Sequence, residues 1–434
     1  MRKHNIFFTY VIPSVLAFAL SGVYAIVDGF FIGNSLGDAG LTAINIAYPI
    51  PAFIQAAGTG IGLAGAIRFT ILQAQKNREE ETWYFSGTLL LLAAACIFMT
   101  GFALLCSLPM LRLLGASGGI LTMANEYIAV IALGAVFQVF GTGLVPFIRN
   151  LGGATFAMVS MAAGFLTNIL LDYCFVWVLE WGMTGAAAAT IIGQCITMLC
   201  AIGFLWKTKI DFRLPPVRNL PRIFGTILAV SLSPFGLTFS PNLTLILMNR
   251  FLSTYGGDRA VATYACIAYI ISIVYLLLQG IGDGSQPLIS RYYGENAVAH
   301  MWQTRSLAYH TGTFVTLASM AALFFARSFV GVMFGASPTV RHDVSSILPL
   351  FLIGLLFLSF VRITTAYCYA TEQSRVSYCL VYAEPILLLL LGMVLGPKLG
   401  VAGIWASVPL AQGLTGILAI IAKRRVDSRT MPAK

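Results

Sequence analysis

The chain has 434 residues, of which 58% are hydrophobic and only 10% are charged, and its mean hydropathy is +0.86. A soluble domain carries about a quarter charged residues, because its surface must face water. This composition excludes a soluble enzyme, a disordered regulator and a disulfide scaffold. The net charge of +10 comes from basic residues in short connections between apolar runs, a distribution typical of membrane orientation and not of nucleic-acid binding.

Twelve apolar runs follow one another along the chain, and most are long enough to cross about 30 Å of hydrocarbon. Each must be helical, because lipid offers no partner for free backbone groups. The fold class predicted is an all-α integral membrane protein with twelve transmembrane helices. In chain order the runs are 6–33, 41–74, 84–108, 120–143, 154–179, 184–206, 223–251, 261–290, 305–326, 345–370, 376–396 and 400–422.

The lysines and arginines predict the orientation of these helices. Of the 26 basic residues, 18 fall at one set of helix ends and 5 at the other. Basic residues are retained on the cytoplasmic side, and an even number of spans returns the chain to its starting side. We therefore expect both termini to be cytoplasmic.

The two halves of the sequence resemble each other at a nearly constant spacing of about half the chain. The segment Asp28–Phe31 resembles Asn249–Leu252, and Gly182–Gly185 matches Gly400–Gly403. We predict two six-helix lobes related by a parallel pseudo-two-fold repeat, a plan known among transporters.

The predicted division places the N-lobe at 1–206, a cytoplasmic linker at 207–222 and the C-lobe at 223–434. The linker holds three prolines and five basic residues, which stop a helix and keep the segment in water. Two lobes joined in this way favour alternating access, in which the lobes rock around a central cleft.

Four polar residues lie at one depth within the apolar runs of the first half. Asp28 is late in the first run, Asn168 and Asp172 are one turn apart in the fifth, and Thr190 follows the Gly182–Gly185 turn. Ionisable groups in hydrocarbon are costly, so they are functional candidates. Their oxygens suit a sodium ion, and alternatively two close carboxylates could hold a proton.

A structural alternative is that these side chains only hydrogen-bond helices together. The repeat argues for a functional role, because Asn249 takes the place of Asp28, and the counterparts of Asp172 and Thr190 fall near Leu389 and Val408. A purely structural element is expected in both halves. Pro13 lies in the same helix as Asp28 and permits a bend there.

Weaker candidates lie elsewhere. Asp283 is either an interior group or the cap of a glycine-rich bend, and Glu384 is a candidate partner of Arg362. Eight further side chains are candidates to line a cleft for aromatic cations, or alternatively to serve in packing. They are Tyr24, Tyr48, Phe137, Met248, Asn249, Tyr264, Tyr269 and Tyr275.

The run Tyr24–Gly33 with Leu36 and Gly37 resembles the first-helix signature of the multidrug and toxic compound extrusion (MATE) family, and Pro13 also matches its bacterial and archaeal members. The resemblance implies an inner-membrane antiporter, and not an enzyme, that exports organic cations or dyes in exchange for sodium or protons. It implies a cation held at Asp28, Asn168, Asp172 and Thr190, with the first helix bending near Pro13. Beyond the coupling ion it implies no cofactor, and we expect a monomer in contact with membrane lipids.

Three other classes are weighed against this interpretation. A lipid-linked oligosaccharide flippase needs a strongly basic cleft, whereas the interior arginines are limited to Arg68, Arg250 and Arg362. A major facilitator carrier has a Gly-x-x-x-Asp-Arg-type loop after the second helix, which 73–82 lacks. A membrane enzyme needs an Asp/His or Cys/His constellation at one depth, and the sequence offers none.

Overall fold

The computed structural model describes residues 2–430, and the side chains between residues 5 and 428. All regular structure in this part of the chain is helical. In chain order the helices are α1 (Arg2–Ala47), α2 (Pro49–Ala74), α3 (Arg78–Leu113), α4 (Gly118–Leu133), α5 (Ala135–Asn150), α6 (Ala154–Asp172), a π-helical turn (Tyr173–Val178), α7 (Gly182–Lys207), a 3-10 turn (Val217–Asn219), α8 (Leu220–Tyr255), α9 (Gly257–Gly294), α10 (Val298–Met333), α11 (Pro338–Ala370) and α12 (Ser374–Thr430).

Local sequence explains where several helices begin. The Asn77 side chain accepts a hydrogen bond from the backbone N–H of Glu80, and the acidic residues 79–81 occupy the positive end of α3. Ser337 caps α11 in the same way, with Pro338 at the first helical position. These caps satisfy backbone donors that have no partner inside the helix.

Nine segments of the described chain are long and apolar enough to cross a membrane, or ten when α4 and α5, bent by 59°, count as one span. Two of the nine are 70 and 55 residues long, far more than one crossing needs. Gly37 and Gly400 break the helices there, with φ of 63° and 59°. Such a left-handed conformation suits glycine. These breaks divide the two longest segments, and the twelve spans expected from the sequence remain a prediction.

The chain divides into two compact units, Met1–Phe239 and Ser240–Lys434. In the first unit α1 packs against α4, α6 and α7, while α2 packs against α3 and α5. The side chains that fill this interior include Phe69, Phe85 and Phe147, whose rings contact one another. This packing brings α1, α6 and α7 together.

In the second unit α9, α10, α11 and α12 pack against one another. Arg305 of α10 forms an ion pair with Asp427, which lies near the C-terminal end of α12. The guanidinium of Arg305 lies 4.4 Å from the ring centre of Tyr367. Lys423 also approaches Asp427, at 3.3 Å. The last turns of α12 are thereby joined to the interior of this unit.

Left-handed backbone positions recur along the chain at the spacing of the sequence repeat. One identical interval separates the members of four pairs: Gly37 and Gly257, Lys76 and Asn296, Gly115 and Gly335, and Gly152 and Glu372. Gly182 and Gly400, at the start of the last helix of each half, lie two residues closer together than the members of these pairs. The repeat is therefore present in the backbone as well as in the sequence, and its spacing shortens after Gly152.

The proposed lobe boundaries and the axis between the lobes remain predictions. The orientation of the termini also remains a prediction. It depends in part on Arg2, Lys3, Arg429 and Lys434, whose side chains lie outside the described residues.

Candidate cation-coupling site

Asp28, Asn168, Asp172 and Thr190 lie on three helices of the first unit and are all buried. Asp28 belongs to α1, Asn168 and Asp172 to α6, and Thr190 to α7. Asp172 has no exposed surface, and Asn168 has almost none. The structure thus brings together the four side chains that the sequence places at one depth.

A close contact between α6 and α7 sets the position of Asn168 and Thr190. A Cβ atom on Gly164 would lie 2.7 Å from the carbonyl oxygen of Gly193 and 2.1 Å from Thr197 Oγ1. Only glycine allows the two backbones to approach so closely. One turn further along, Asn168 Nδ2 lies 3.4 Å from Thr190 Oγ1, to which it donates a hydrogen bond.

The carboxyl groups of Asp28 and Asp172 face each other within hydrogen-bonding reach. Among the described residues, no ion pair joins either group to a basic side chain. Asp28 Oδ1, both oxygens of Asp172 and Asn168 Oδ1 receive no hydrogen bond from these residues. Two ionised carboxylates repel each other and neither has a proton to donate, so the arrangement requires a proton or a cation between them.

Two tyrosines border the acidic pair, and one of them was not among the candidates from the sequence. The hydroxyl groups of Tyr24 and Tyr127 approach the hydroxyl of Thr190, and both rings interact electrostatically with the two acids. Tyr24 also stacks on Phe165, with ring centres 5.2 Å apart. Tyr127 lies on α4, which carries none of the predicted site residues. Its only signal in the sequence is a phenol group within an apolar run.

The donor set fits either coupling ion. Carboxylate, amide and hydroxyl oxygens are hard ligands of the kind that sodium takes, and four buried oxygens without donors are available to receive it. The same carboxyl pair can share a single proton, which would form the missing hydrogen bond between them. The geometry alone therefore leaves both ions open.

The other predicted residues are distributed between the two units. Pro13 lies within α1, which continues as a helix on both sides of it. Tyr48 and Tyr269 are about half exposed, whereas Met248 has no exposed surface. Tyr264 packs against Phe351 and Trp405 inside the second unit. Phe137 is half-buried on α5, and Asn249 has a buried side-chain oxygen that accepts no hydrogen bond from the residues that the structure describes. Tyr275 belongs to the charged cluster described next.

The second unit contains a separate charged cluster around Arg362. Its guanidinium lies 4.8 Å from the ring centre of Tyr275 and donates a hydrogen bond to Gln279, at 3.3 Å. Both Glu384 and Asp283 interact with it electrostatically. The sequence suggested Arg362 and Glu384 as partners. In the structure the two charges interact electrostatically beside Tyr275 and form no direct ion pair.

Both acids of this cluster have hydrogen-bond donors. Gln412 donates to Glu384 at 3.0 Å and to the Tyr275 hydroxyl at 2.8 Å. The Tyr369 hydroxyl donates to Asp283 at 2.9 Å, so Asp283 is an interior group and not a helix cap. The cluster contains its own positive charge, which the acidic pair of the first unit lacks.

Comparison with known proteins agrees with this architecture. The MatE family model matches the chain twice, over residues 13–174 and 238–398. The chain is 26% identical over 416 residues to the multidrug export protein MepA of Staphylococcus saprophyticus, covering 94% of this chain and 91% of that protein. It is 21% identical over 412 residues to MepA of Staphylococcus aureus strain MRSA252, again covering 94% and 91%.

Two solved structures share the fold. One is described as the outward-facing conformation of a multidrug resistance MATE family transporter of the MOP superfamily, with a TM-score of 0.90, 22% identity and coverage of 98% and 96% of the two chains. The other is a MOP superfamily transporter from Pyrococcus furiosus whose binding pocket is described as having reverse polarity, with a TM-score of 0.91, 21% identity and coverage of 99% and 97%. At these identities the likeness concerns the fold.

The two matches of the family model cover most of the chain, and they repeat the two halves seen in the backbone. A match to this family also excludes the alternative that the chain is a major facilitator carrier. The chain belongs to the MatE family.

Proposed function

We propose that this protein exports organic cations from the cytoplasm in exchange for sodium ions or protons. Transport proceeds by alternating access between two six-helix lobes in the plasma membrane, and the coupling ion binds at Asp28, Asn168, Asp172 and Thr190. The names of the MepA relatives, which are multidrug export proteins, support the export of drug-like substrates.

One observation carries the coupling role: two buried carboxyl groups face each other with no basic partner among the described residues, and the side chain of Asn168 is the polar neighbour of Asp172. Leaving buried acceptors without donors costs about 1–3 kcal/mol each. A protein can retain such a site when a ligand completes it during part of the cycle. Because α1 holds one acid and α6 the other, a bound cation stabilises one arrangement of these two helices over another.

The substrate side of the cycle involves the aromatic residues of the first unit. Tyr24 lies beside Thr190 and the acidic pair, so an organic cation stacked on this ring would compete with the coupling ion for the same negative charge. Competition of this kind is sufficient for exchange, because each ligand favours release of the other.

The direct test uses purified protein in liposomes loaded with a fluorescent organic cation such as ethidium. Sodium and proton gradients are imposed separately, and export is followed by the dye fluorescence. One of the two gradients is expected to drive export in the native protein. Asp28→Asn and Asp172→Asn are expected to reduce driven export by about 10- to 100-fold, since a charge-assisted contact contributes about 1.5–3 kcal/mol.

Asp38→Asn is the matched control, because Asp38 lies on the same chain segment as Asp28 but is exposed. Full driven export in both buried variants would contradict the coupling role. A lipid-linked oligosaccharide that competes with the dye would favour the flippase alternative instead. The antiport proposal would be contradicted if neither gradient drove the export of any cationic dye.

A further inference from the structure

The helix that carries Asp172 does not continue as an α-helix. It ends at Asp172 and is followed by the π-helical turn Tyr173–Val178, in which the Leu179 N–H donates to the Cys174 carbonyl at 2.9 Å. Glu180 then adopts φ of 54°, a left-handed conformation that is uncommon for a residue other than glycine. π-Helical turns are rare and occur frequently at functional sites.

The internal repeat has a two-residue difference in the stretch that contains this turn. Left-handed positions before the turn are separated from their counterparts by one constant interval, whereas Gly182, after it, lies two residues closer to Gly400. The stretch from Gly152 to Gly182 is thus two residues longer than the stretch from Glu372 to Gly400. In the second half α12 runs from Ser374 to its break at Gly400 without a π-helical turn. The π-helical turn and the left-handed Glu180 both lie within the longer stretch of the first half.

The position that corresponds to Asp172 in the second half has a different environment. The same spacing that separates Gly152 from Glu372 gives Gly392 as the counterpart of Asp172. This residue lies three positions after Leu389, the counterpart expected from the sequence. A Cβ atom on Gly392 would lie 2.4 Å from the ring of Phe251. In the second half this position is a close helix contact, whereas in the first half it carries a carboxylate facing α1.

Aromatic side chains hold the π-helical turn against α1. The Phe31 ring lies 6.4 Å from that of Tyr173 and 5.9 Å from that of Trp177, and Phe30 stacks on Trp177 at 6.2 Å. Phe31 follows Asp28 by three residues, so both lie on the same face of α1. Two successive turns of α1 therefore contact the chain around Asp172, the first through Asp28 and the second through these rings.

We propose that the π-helical turn Tyr173–Val178, held by Phe31, is an insertion specific to the first half that positions Asp172 opposite Asp28. Each residue of an α-helix turns the chain by about 100° and advances it by about 1.5 Å. The helix is fixed on one side by the Gly164–Gly193 contact and on the other by the turn that ends at Gly182. Removing the additional residues must therefore rotate or displace Asp172. Tyr173, Trp177 and Phe31 are positioning residues, since they act through Asp172; their role in transport rests on the proposed function.

The test measures the geometry of the two acid positions by disulfide formation. In a protein whose eight free cysteines are replaced by alanine, Asp28→Cys and Asp172→Cys are combined and oxidised with copper phenanthroline. A second pair, Tyr24→Cys with Phe165→Cys, reports the contact between α1 and α6 at positions that precede the two acids in both helices. Each pair is then examined in a chain shortened by removal of residues 174 and 180, which gives the first half the length of the second.

We expect cross-linking at 28 and 172 to slow by about tenfold or more in the shortened chain, because disulfides form only within narrow limits of distance and direction. Cross-linking at 24 and 165 is expected to stay within about twofold of the full-length rate. A chain lacking Asp211 and Phe212 of the exposed linker is the control for a deletion of equal size. An unchanged rate at 28 and 172 in the shortened chain would overturn the proposal.

A full-length variant keeps the proposal testable if the shortened chain does not fold. Phe31→Leu retains an apolar side chain but removes the ring contacts with Tyr173 and Trp177. It is expected to slow cross-linking between positions 28 and 172 and to leave the rate between positions 24 and 165 unchanged. An equal change in the two cross-linking rates would count against the proposal. These rates do not depend on transport. If Asp28→Asn and Asp172→Asn export normally, the proposed function fails, while the cross-linking still decides the role of the turn.

Discussion

The first unit buries the acidic pair Asp28 and Asp172, and the second unit holds the buried Asp283 and the partly buried Glu384, but the two units neutralise these acids differently. In the second unit Arg362 interacts with both Glu384 and Asp283, and Gln412 and Tyr369 donate hydrogen bonds to the acids. In the first unit Asp28 and Asp172 face each other without a basic partner among the residues that the structure describes.

This difference separates a structural charge cluster from a binding site. A buried cluster that contains its own counter-charge is complete in every state of the protein, and removing one member exposes the others to the cost of burial. A pair of acids without counter-charge is completed only by a ligand. Comparing the units therefore predicts opposite responses to the removal of a charge.

The largest effect is expected from Arg362→Gln. It leaves the buried carboxylate of Asp283 and the partly buried carboxylate of Glu384 without a positive neighbour, and removing one partner of a buried charge cluster costs about 3–5 kcal/mol. The melting temperature of the purified protein should fall markedly, as followed by a thiol-reactive dye at the buried cysteines Cys96, Cys266 and Cys368. Adding Glu384→Gln should restore part of the loss. An unchanged melting temperature in Arg362→Gln would show that the cluster is not self-neutralised.

Asp172→Asn is expected to have the opposite sign in the same measurement. The substitution removes one of two mutually repelling carboxylates, so the melting temperature should stay the same or rise. The coupling cation should stabilise the native protein by about 2.7 kcal/mol at a hundredfold excess over its Kd, and should not stabilise the variant. A marked fall in the melting temperature would indicate that Asp172 has a structural role instead.

An intermediate effect is expected from Gly164→Ala. The new methyl group would meet Thr197 Oγ1 and the Gly193 carbonyl, so α6 and α7 must separate near Asn168 and Thr190. Overpacking of this kind costs about 1–3 kcal/mol. Driven export should weaken together with stability. Gly203→Ala on α7 is the control, since no atom lies within 4 Å of its added methyl group.

The smallest effect is expected from Tyr127→Phe, which keeps the ring and removes only the hydroxyl near Thr190. A net hydrogen bond contributes about 1 kcal/mol, which corresponds to about a fivefold change in affinity. We expect the apparent affinity for the coupling cation to fall by this amount while the rate at saturating cation is retained. Tyr269→Phe, which removes a hydroxyl group of the second unit, should leave both quantities unchanged. An equal response of the two variants would exclude a specific role for Tyr127.

Much of the fold could be predicted because it depends on properties that are local in the chain. The length of each apolar run reflects the thickness of the bilayer, and the glycine turns recur at a measurable spacing. Asp28 and Asp172 could be placed at one depth by counting residues along their apolar runs, and Thr190 by counting from the Gly182–Gly185 turn. The same counting could not reveal Tyr127, because depth alone does not indicate which face of α4 meets α1 and α7.

The sequence by itself determined that this is a helical membrane protein with two similar halves and an acidic pair in only one of them. The tertiary structure decided the rest: which side chains meet, that Arg362 interacts with Glu384 beside Tyr275 and not as a direct pair, and that a π-helical turn follows Asp172. The physical reason is that hydropathy and spacing fix the position of a residue along a helix axis. The rotation of each helix about its axis is fixed by contacts between distant residues, such as those of Gly164 with Gly193 and of Phe31 with Trp177.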